Sequence, residues 1–367
     1  LQNLGAYESK KLFEKEQRAR EVIEACRTKN GFNASTQYYH QLWLRDLVYS
    51  EDILLKLGYT GDIEKHLSKF IKLQRRSGQM PTVIDFSVRR LMRQTYQPCP
   101  ADTEILFIIG MYKHARVAGN EFLEENREAV KLCVSFLGSK MNAHKFIAGM
   151  DWRDSMPVYI GKCLLANQML LANMYEMLGN STASKLIKEN VNRLFYLGNL
   201  GWYADSVYWN GSEFKQDHHF DCLGNALAIL NGTASEKISK RILRGLDFAK
   251  TGFGYRNIIP YYEFDREKAL ATWYRTCRVP FGVAFRNRPG KYQNSAIWPF
   301  VEVRVIDALG KLQSAHKAEA AIKLMLNRKG FNEYYDPTTG SPEGSRGQLW
   351  TATATLSAIE HCKPTRL

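Results

Sequence analysis

Apolar residues recur at helical spacing along most of the chain, in two alternating textures. Residues 6–28 are charged and leave one apolar face through Phe13, Val22, Ile23 and Cys26. Residues 46–57 are more apolar, and 61–73 return to a single stripe of Ile63, Leu67, Phe70 and Ile71. Residues 102–117 are apolar on every side, 121–137 are charged, and 161–178 are apolar again. The alternation continues through 181–197, 220–230, 235–247, 299–311, 314–327 and 349–361. A helix that is apolar all round is buried, whereas one with a single apolar stripe lies outside. Six buried helices interleaved with six amphipathic ones predict two concentric rings, an all-α (α/α)6 barrel.

The connections carry the same alternation. Buried-to-outer links are short turns at 58–60, 118–120, 179–180, 231–234 and 312–313. Outer-to-buried links are long: 29–45, 74–101, 138–160, 198–219, 248–298 and 328–348. In antiparallel rings all links of one kind emerge at one end, so the six long loops are expected around a single mouth. Irregular loops of this length are usually functional. Within 198–219, the runs Trp202–Asp205 and Val207–Trp209, followed by Asn210-Gly211, predict a small β-hairpin. No interdomain linker interrupts the pattern, which predicts one catalytic domain over 1–367.

Composition narrows the function classes. At 367 residues and 45% hydrophobic, the chain can bury a large core. No run is long and apolar enough to span a bilayer, and no secretory signal opens the chain. The seven cysteines are odd in number and lack metal-ligand spacing, which predicts free thiols, a cytoplasmic location and no metal or other cofactor. His218-His219 has no further ligand at metal spacing. The formal charge of +14, densest at Arg89-Arg90 with Arg93 and near Arg75-Arg76, comes without a nucleic-acid-binding motif. The charge therefore points to a solvated surface or a preference for anionic ligands, with carbohydrate rather than nucleic acid or membrane as the expected partner.

The chemistry collects in the long loops. Loop 29–45 ends in Trp43-Leu44-Arg45-Asp46, and loop 138–160 holds Gly149-Met150-Asp151-Trp152-Arg153-Asp154. Loop 248–298 ends in Tyr292-Gln293-Asn294 and Trp298-Pro299, and the turn-rich stretch 331–350 carries Glu333, Glu343, Gln348 and Trp350. Aromatic faces beside acids suit a sugar, whose C–H face stacks on rings while its hydroxyls bond to carboxylates and amides. Asp151 and Glu333 lie far apart in sequence, yet the topology brings both to one rim. Such a carboxyl pair is the minimal machinery for glycoside hydrolysis, one acid protonating the leaving oxygen and one base activating water. Glu343 competes with Glu333 for the second role, and Asp154 has the option of pairing with Arg153 or Arg45.

Several of these stretches resemble six-hairpin glycosidases. Trp43-Leu44-Arg45-Asp46 resembles the Trp-x-Arg-Asp segment of neutral/alkaline invertases and of the amylo-α-1,6-glucosidase domain of glycogen debranching enzymes. Gly149-Met150-Asp151, with Gly161-Lys162 and Asn167 downstream, is similar to the debranching Met-Asp block and to processing α-glucosidases. Leu223-Gly224-Asn225 resembles the Leu-Gly-Asn helix of neutral invertases. Tyr292-Gln293-Asn294 through Trp298-Pro299, and Glu333-Tyr334-Tyr335-Asp336 with Gln348-Leu349-Trp350, are similar to the remaining signatures. Gln293 stands where those families have His, and Ser295-Ala296 where they have a Gly pair.

The resemblance implies Asp151 as general acid and Glu333 as catalytic base of an inverting, exo-acting hydrolase. An α-glucosidase on gluco-oligosaccharides or a small glucoside is the leading expectation. Sucrose or a mannosyl or glucosyl conjugate is the alternative substrate, and a catalytically weak carbohydrate-binding protein the alternative class. Trp43, Arg45, Asp46, Trp152, Tyr292, Asn294, Trp298, Gln348 and Trp350 are the expected sugar contacts.

Overall fold

The computed structural model describes residues 6–86, 93–95, 101–263 and 285–362. The basic cluster at Arg89-Arg90 and the segment 264–284 lie outside the described residues. Thirteen helices are described: α1 Ala6–Cys26, α2 Leu44–Lys56, α3 Thr60–Lys72, α4 Thr103–Ala118, α5 Glu121–Glu125, α6 Arg127–Lys140, α7 Leu165–Met177, α8 Ser181–Leu194, α9 Cys222–Leu230, α10 Glu236–Ala249, α11 Pro299–Lys311, α12 Ala315–Leu326 and α13 Leu349–Glu360.

Six of them form an inner cycle. Helix α2 packs on α4, α4 on α7, α7 on α9, α9 on α11, α11 on α13, and α13 returns to α2. Their sequences show why. Every residue from Thr103 to Met111 of α4 is buried, as is every residue from Leu165 to Ala172 of α7. The outer helices are one-sided, each leaning on the inner ring: α1 on α13, α3 on α2 and α4, α6 on α4, α8 on α7, α10 on α9, and α12 on α11 and α13. In α10 only Ser239, Ile242, Gly245, Leu246 and Ala249 are buried, at spacings of three and four.

Several boundaries differ from the sequence expectation for identifiable reasons. The segment 161–178 becomes helical only at Leu165, because Gly161 takes a positive φ of 75° and Cys163–Leu164 pairs as a strand with Ser206–Val207. The segment 220–230 begins its helix at Cys222, since Phe220–Asp221 pairs with Ile258–Ile259 and the Asp221 carboxylate caps Leu223 and Gly224. The hairpin at Asn210-Gly211 joins Ser206–Trp209 to Phe214–Asp217, whereas Trp202–Tyr203 pairs back to Tyr196–Leu197. Cys26, Cys133, Cys163, Cys222 and Cys362 are free thiols. No helix among the described residues is long and apolar enough to cross a membrane.

The long loops are tied to one another at the inner-helix N-termini. Leu165 N–H donates to the Asp205 carbonyl at 2.8 Å, Cys222 N–H to Asn257 at 2.9 Å, and Leu349 N–H to Ala34 at 2.9 Å. Ile297 and Tyr335 exchange a pair of backbone bonds, and Ala101 N–H donates to Met150 at 2.8 Å. Loops from distant parts of the chain thereby share one end of the helical cycle.

Close packing gives a prediction whose sign opposes local propensity. A Cβ on Gly245 of α10 would come inside 3.0 Å of three ring carbons of Phe220, which is fully buried. Gly245→Ala gains about 1 kcal/mol of helix propensity, but overpacking costs about 1–3 kcal/mol. The variant should have a lower urea midpoint than the parent. A raised midpoint would show that the Phe220 ring can move aside.

Candidate active site

Four loops and two helices converge on a cleft. Tyr39 and Trp43 come from the loop before α2, and Arg45 and Asp46 from its first turn. Trp152 and Asp154 belong to the loop between α6 and α7. Tyr292, Gln293 and Trp298 precede α11, Glu333 and Gln348 precede α13, and Trp350 is in the first turn of α13. Ala34 completes the lining.

The walls are aromatic and rigid. Trp298 sits 4.8 Å from Trp152, 5.3 Å from Tyr292 and 5.7 Å from Trp350, between ring centroids. Phe300 stacks behind Trp350 at 4.5 Å, and the Trp298 indole donates to the Tyr292 carbonyl at 2.9 Å. By contrast, the indole N–H groups of Trp43, Trp152 and Trp350, and the amide oxygen of Gln348, are buried without a hydrogen-bond partner. Leaving such groups unpaired costs about 1–3 kcal/mol each. All four belong to side chains that line the cleft.

Three carboxyls line this cleft, each in a different setting. Glu333 Oε1 accepts from the hydroxyls of Tyr292 at 3.1 Å and Tyr39 at 3.3 Å, while Oε2 accepts from Ser345 N–H at 3.1 Å. Burial raises its pKa, and the Ser345 N–H, the two tyrosines and the Arg286 charge oppose the rise. Asp46 accepts from the Gln348 amide at 2.9 Å. Burial pushes its pKa up to about 7, with Arg45 opposing and the Glu333 charge adding to the rise. Asp154 accepts from Arg45 Nη1 at 3.1 Å and from Gln293 Nε2 at 3.4 Å. The rest of the Arg45 guanidinium is taken by Asp102, at 2.9 and 3.4 Å.

Asp151 is not in the cleft. It lies 1% exposed against Arg153, which reaches its two carboxylate oxygens from Nε and Nη2 at 2.7–3.2 Å. The same guanidinium holds Asp205 at 2.9 Å, the Tyr159 hydroxyl at 2.8 Å and Asp221 at 3.5 Å. Along 151–154 the side chains alternate: Trp152 and Asp154 face the cleft, while Asp151 and Arg153 are sealed in the floor beneath it.

Asn294 is likewise structural. Its side chain accepts from Tyr262 N–H and donates to the Tyr262 and Asn287 carbonyls, at 2.8–3.0 Å. Of the other expected sugar contacts, Trp43, Arg45, Asp46, Trp152, Tyr292, Trp298, Gln348 and Trp350 all line the cleft with Glu333. Glu343 does not; it sits half-buried opposite Tyr334 in a short hairpin. Tyr39 and Gln293 line the cleft without having been expected there. Nothing in the local sequence at Tyr38-Tyr39 distinguishes the ring that reaches Glu333 from its exposed neighbour. Among the described residues no group of three or more His, Cys, Asp or Glu is placed to hold a metal ion. His219 instead pairs with Asp217 and stacks on Tyr262.

The fold has counterparts among solved structures. A mannosylglycerate hydrolase of Thermus thermophilus, in complex with Tris and D-glycerate, superposes with a TM-score of 0.69 at 12% identity. The match covers 94% of this chain and 99% of that one. A glycosidase in complex with glucose gives 0.68 at 12% identity, covering 98% of both chains. A rhamnosidase from Klebsiella oxytoca with rhamnose bound gives 0.66 at 13%, over 96% of this chain and 64% of its own. The chain shares its fold with these three structures. In sequence, 71 residues are 34% identical to a mannosylglycerate hydrolase from a second strain of Thermus thermophilus, a stretch that spans 18% of this chain and 17% of that enzyme. No protein-family profile matches the chain.

The raised pKa of Asp46 gives a stability prediction. A carboxyl near 3.9 in the unfolded chain and about 7 in the folded one contributes fully below pH 4 and loses its contribution as pH rises through 7. Asp46→Asn lacks this penalty. It should gain on the parent between pH 4 and 8 by on the order of 1–3 kcal/mol, read from denaturant unfolding at each pH. A difference that stays constant, or narrows with rising pH, would contradict the assignment.

Proposed function

We propose that the protein is an inverting, exo-acting glycoside hydrolase on an (α/α)6 barrel, with Glu333 as general base and Asp154 as general acid. The observation that carries this reading is the cleft itself: unpaired indole N–H groups and an amide oxygen in an aromatic box, with carboxyls in unlike surroundings. The closed cycle of inner helices and the glycosidase structures that share it support the same conclusion.

The roles follow from what surrounds each carboxyl. Glu333 receives three hydrogen bonds from Tyr39, Tyr292 and Ser345. Donors of this kind favour the ionised form that a base needs. Asp154 belongs to a trio in which one Arg45 cation faces two carboxyls, Asp102 and Asp154. A single proton brings that trio to neutrality. Asp154 is its more exposed carboxyl, at 18% against 1% for Asp102, and so the one able to hand a proton to a leaving oxygen. Asp151 cannot reach a glycosidic oxygen from beneath the floor, so the acid role moves three residues along the chain.

In the proposed reaction a water held by Glu333 attacks the anomeric carbon, and its proton passes to Glu333. The C–O bond to the leaving group breaks as Asp154 protonates that oxygen. Inverting pairs leave roughly 6.5–9.5 Å between the carboxyls for the water. Asp46, holding a proton near neutral pH, and Gln348 would bind hydroxyls of the terminal sugar.

A small α-glucoside or α-linked gluco-oligosaccharide is the leading substrate. A mannosyl or glucosyl conjugate with an anionic aglycone is the second reading. It is favoured by the cationic Arg286, which interacts with Tyr39, Tyr292 and Glu333, and by the sequence match to a mannosylglycerate hydrolase.

Leaving-group dependence separates the two aspartates. Asp154→Asn should lose about 10²–10⁴-fold in kcat on natural glycosides, yet retain most turnover of a glycosyl fluoride, whose departure needs no acid. Asp151→Asn should instead lower thermal stability, with no such recovery on the fluoride. Glu333→Gln should abolish hydrolysis of both while still binding the sugar, and proton NMR should find the β-anomer first from an α-glycoside. Recovery on the fluoride by Asp151→Asn rather than Asp154→Asn would return the acid role to Asp151. Sugar binding without turnover of any glycoside in a panel of α-linked disaccharides and glycosyl conjugates would make the protein a binding protein.

A further inference from the structure

Residues 152–155 of the loop bearing Asp154 have no regular secondary structure, yet one side chain bonds to three of them. Gln293 donates from Nε2 to the Trp152 carbonyl at 2.8 Å and to Asp154 Oδ1 at 3.4 Å. Its Oε1 accepts from both the N–H and the hydroxyl of Ser155, at 3.0 and 2.5 Å. A primary amide has two donors and two acceptor sites, and all four are spent on residues 152, 154 and 155. A flipped amide would set carbonyl against carbonyl at Trp152, so the network admits one orientation.

Gln293 is itself fixed from behind. Its N–H donates to Asn287 Oδ1 at 3.1 Å and its carbonyl accepts from Asn257 Nδ2 at 2.7 Å. Asn287 also donates to the carbonyl and the hydroxyl of Ser155, both at 2.8 Å. The flanking residues Tyr292 and Ser295 carry positive φ values of 49° and 83°, conformations that cost non-glycine residues free energy and persist where surroundings over-determine them. The strained turn thus delivers the Tyr292 hydroxyl to Glu333 and the Gln293 amide to Asp154 from adjacent positions.

We propose that Gln293 is a positioning residue that presents Asp154 to the leaving oxygen, holding Oδ1 toward the cleft while Arg45 occupies Oδ2. The inference rests on the glycosidase reading above. Its physical basis is the inequality of the two contacts: the guanidinium donor at 3.1 Å is a cation, whereas the amide donor at 3.4 Å is uncharged and more distant. Oδ1 is therefore the oxygen on which a proton is least opposed. The charged and titratable groups around Asp154 are Arg45, Asp102 behind it and Tyr292. An uncharged amide completes the shell without altering its charge. An imidazole at this position would offer one donor and one acceptor in place of four contacts.

The test uses Gln293→Glu and Gln293→His in the full chain, each checked for a parental circular-dichroism spectrum and melting curve. Two readouts are taken: the alkaline limb of kcat/KM against pH, and a carbon-13 NMR titration of the Asp154 carboxyl without substrate, assigned by comparison with Asp154→Asn. A carboxylate beside Oδ1 should raise the alkaline limb and the Asp154 midpoint together, by about one pH unit or more. Gln293→His should lower kcat by roughly 10–100-fold, with KM changed less than threefold and recovery on a glycosyl fluoride. If Gln293→Glu does not fold, the histidine variant alone decides: unchanged kcat, or an equal loss on the fluoride, overturns the proposal. A folded Gln293→Glu in which neither the limb nor the Asp154 midpoint moves also overturns it. Should the parent hydrolyse no glycoside at all, the glycosidase reading falls. The NMR titration then still reports whether Gln293 controls Asp154.

Discussion

Buried helix N-termini set the constraint on which this structure depends. The first four N–H groups of a helix have no partner within it, and here six inner helices begin beneath loops rather than in water. In α7, α9 and α13 such donors are answered by loop carbonyls and, in α9, also by the capping carboxylate. Leu165 and Leu349 bond to carbonyls of Asp205 and Ala34, Cys222 to Asn257, and Leu223 and Gly224 to the Asp221 carboxylate. Each such bond fastens a loop over a helix, and together they draw the loops to one end. The partial positive charge of each helix start also favours nearby anions. Asp46, Asp221 and Glu302 all lie at or within the first turn of an inner helix.

Concentrating carboxyls at one end creates an electrostatic load that the arginines divide. Arg153 sits in the floor with Asp151, Asp205 and Asp221, and all four side chains are at most 1% exposed. Arg328 pairs with Glu302, and Arg45 bridges Asp102 and Asp154. A buried charge left unpaired costs far more than a paired one, so each guanidinium fixes which carboxyls become structure. Those lining the cleft are the ones left with an incomplete shell. Glu333 is attended by neutral donors, Asp46 by one amide, and Asp154 by half a guanidinium and a long amide contact.

The cleft and its floor are consequently one polar assembly separated by a sheet of rings. Trp152 is part of that separation: its ring faces the aromatic box while Asp151 and Arg153 on either side of it pair with each other. Tyr262 crosses the boundary on the far side, donating to Asp205 at 2.7 Å and accepting the edge of Tyr159 at 5.6 Å between ring centroids. Rigidity of this kind suits a site that must hold polar groups unpaired until a ligand arrives, because their desolvation is already paid for by the surrounding packing.

The sequence by itself determined the alternation of buried and one-sided helices, because burial on all faces and burial on one face demand different residue patterns. It also determined the alternation of short and long links, and with it the gathering of Trp43, Trp152, Trp298, Glu333 and Trp350. Tertiary structure alone decided which acid of the 151–154 segment faces the cleft. In an irregular loop, side-chain parity is set by partners, and those of Arg153, which in turn holds Asp151, lie at positions 205 and 221, far along the chain. The same reason separates Tyr39, which reaches Glu333, from Tyr38, and removes Asn294 to a backbone clamp. Only the packed structure placed Asp46 close enough to Glu333, and far enough from water, to hold its proton near neutrality.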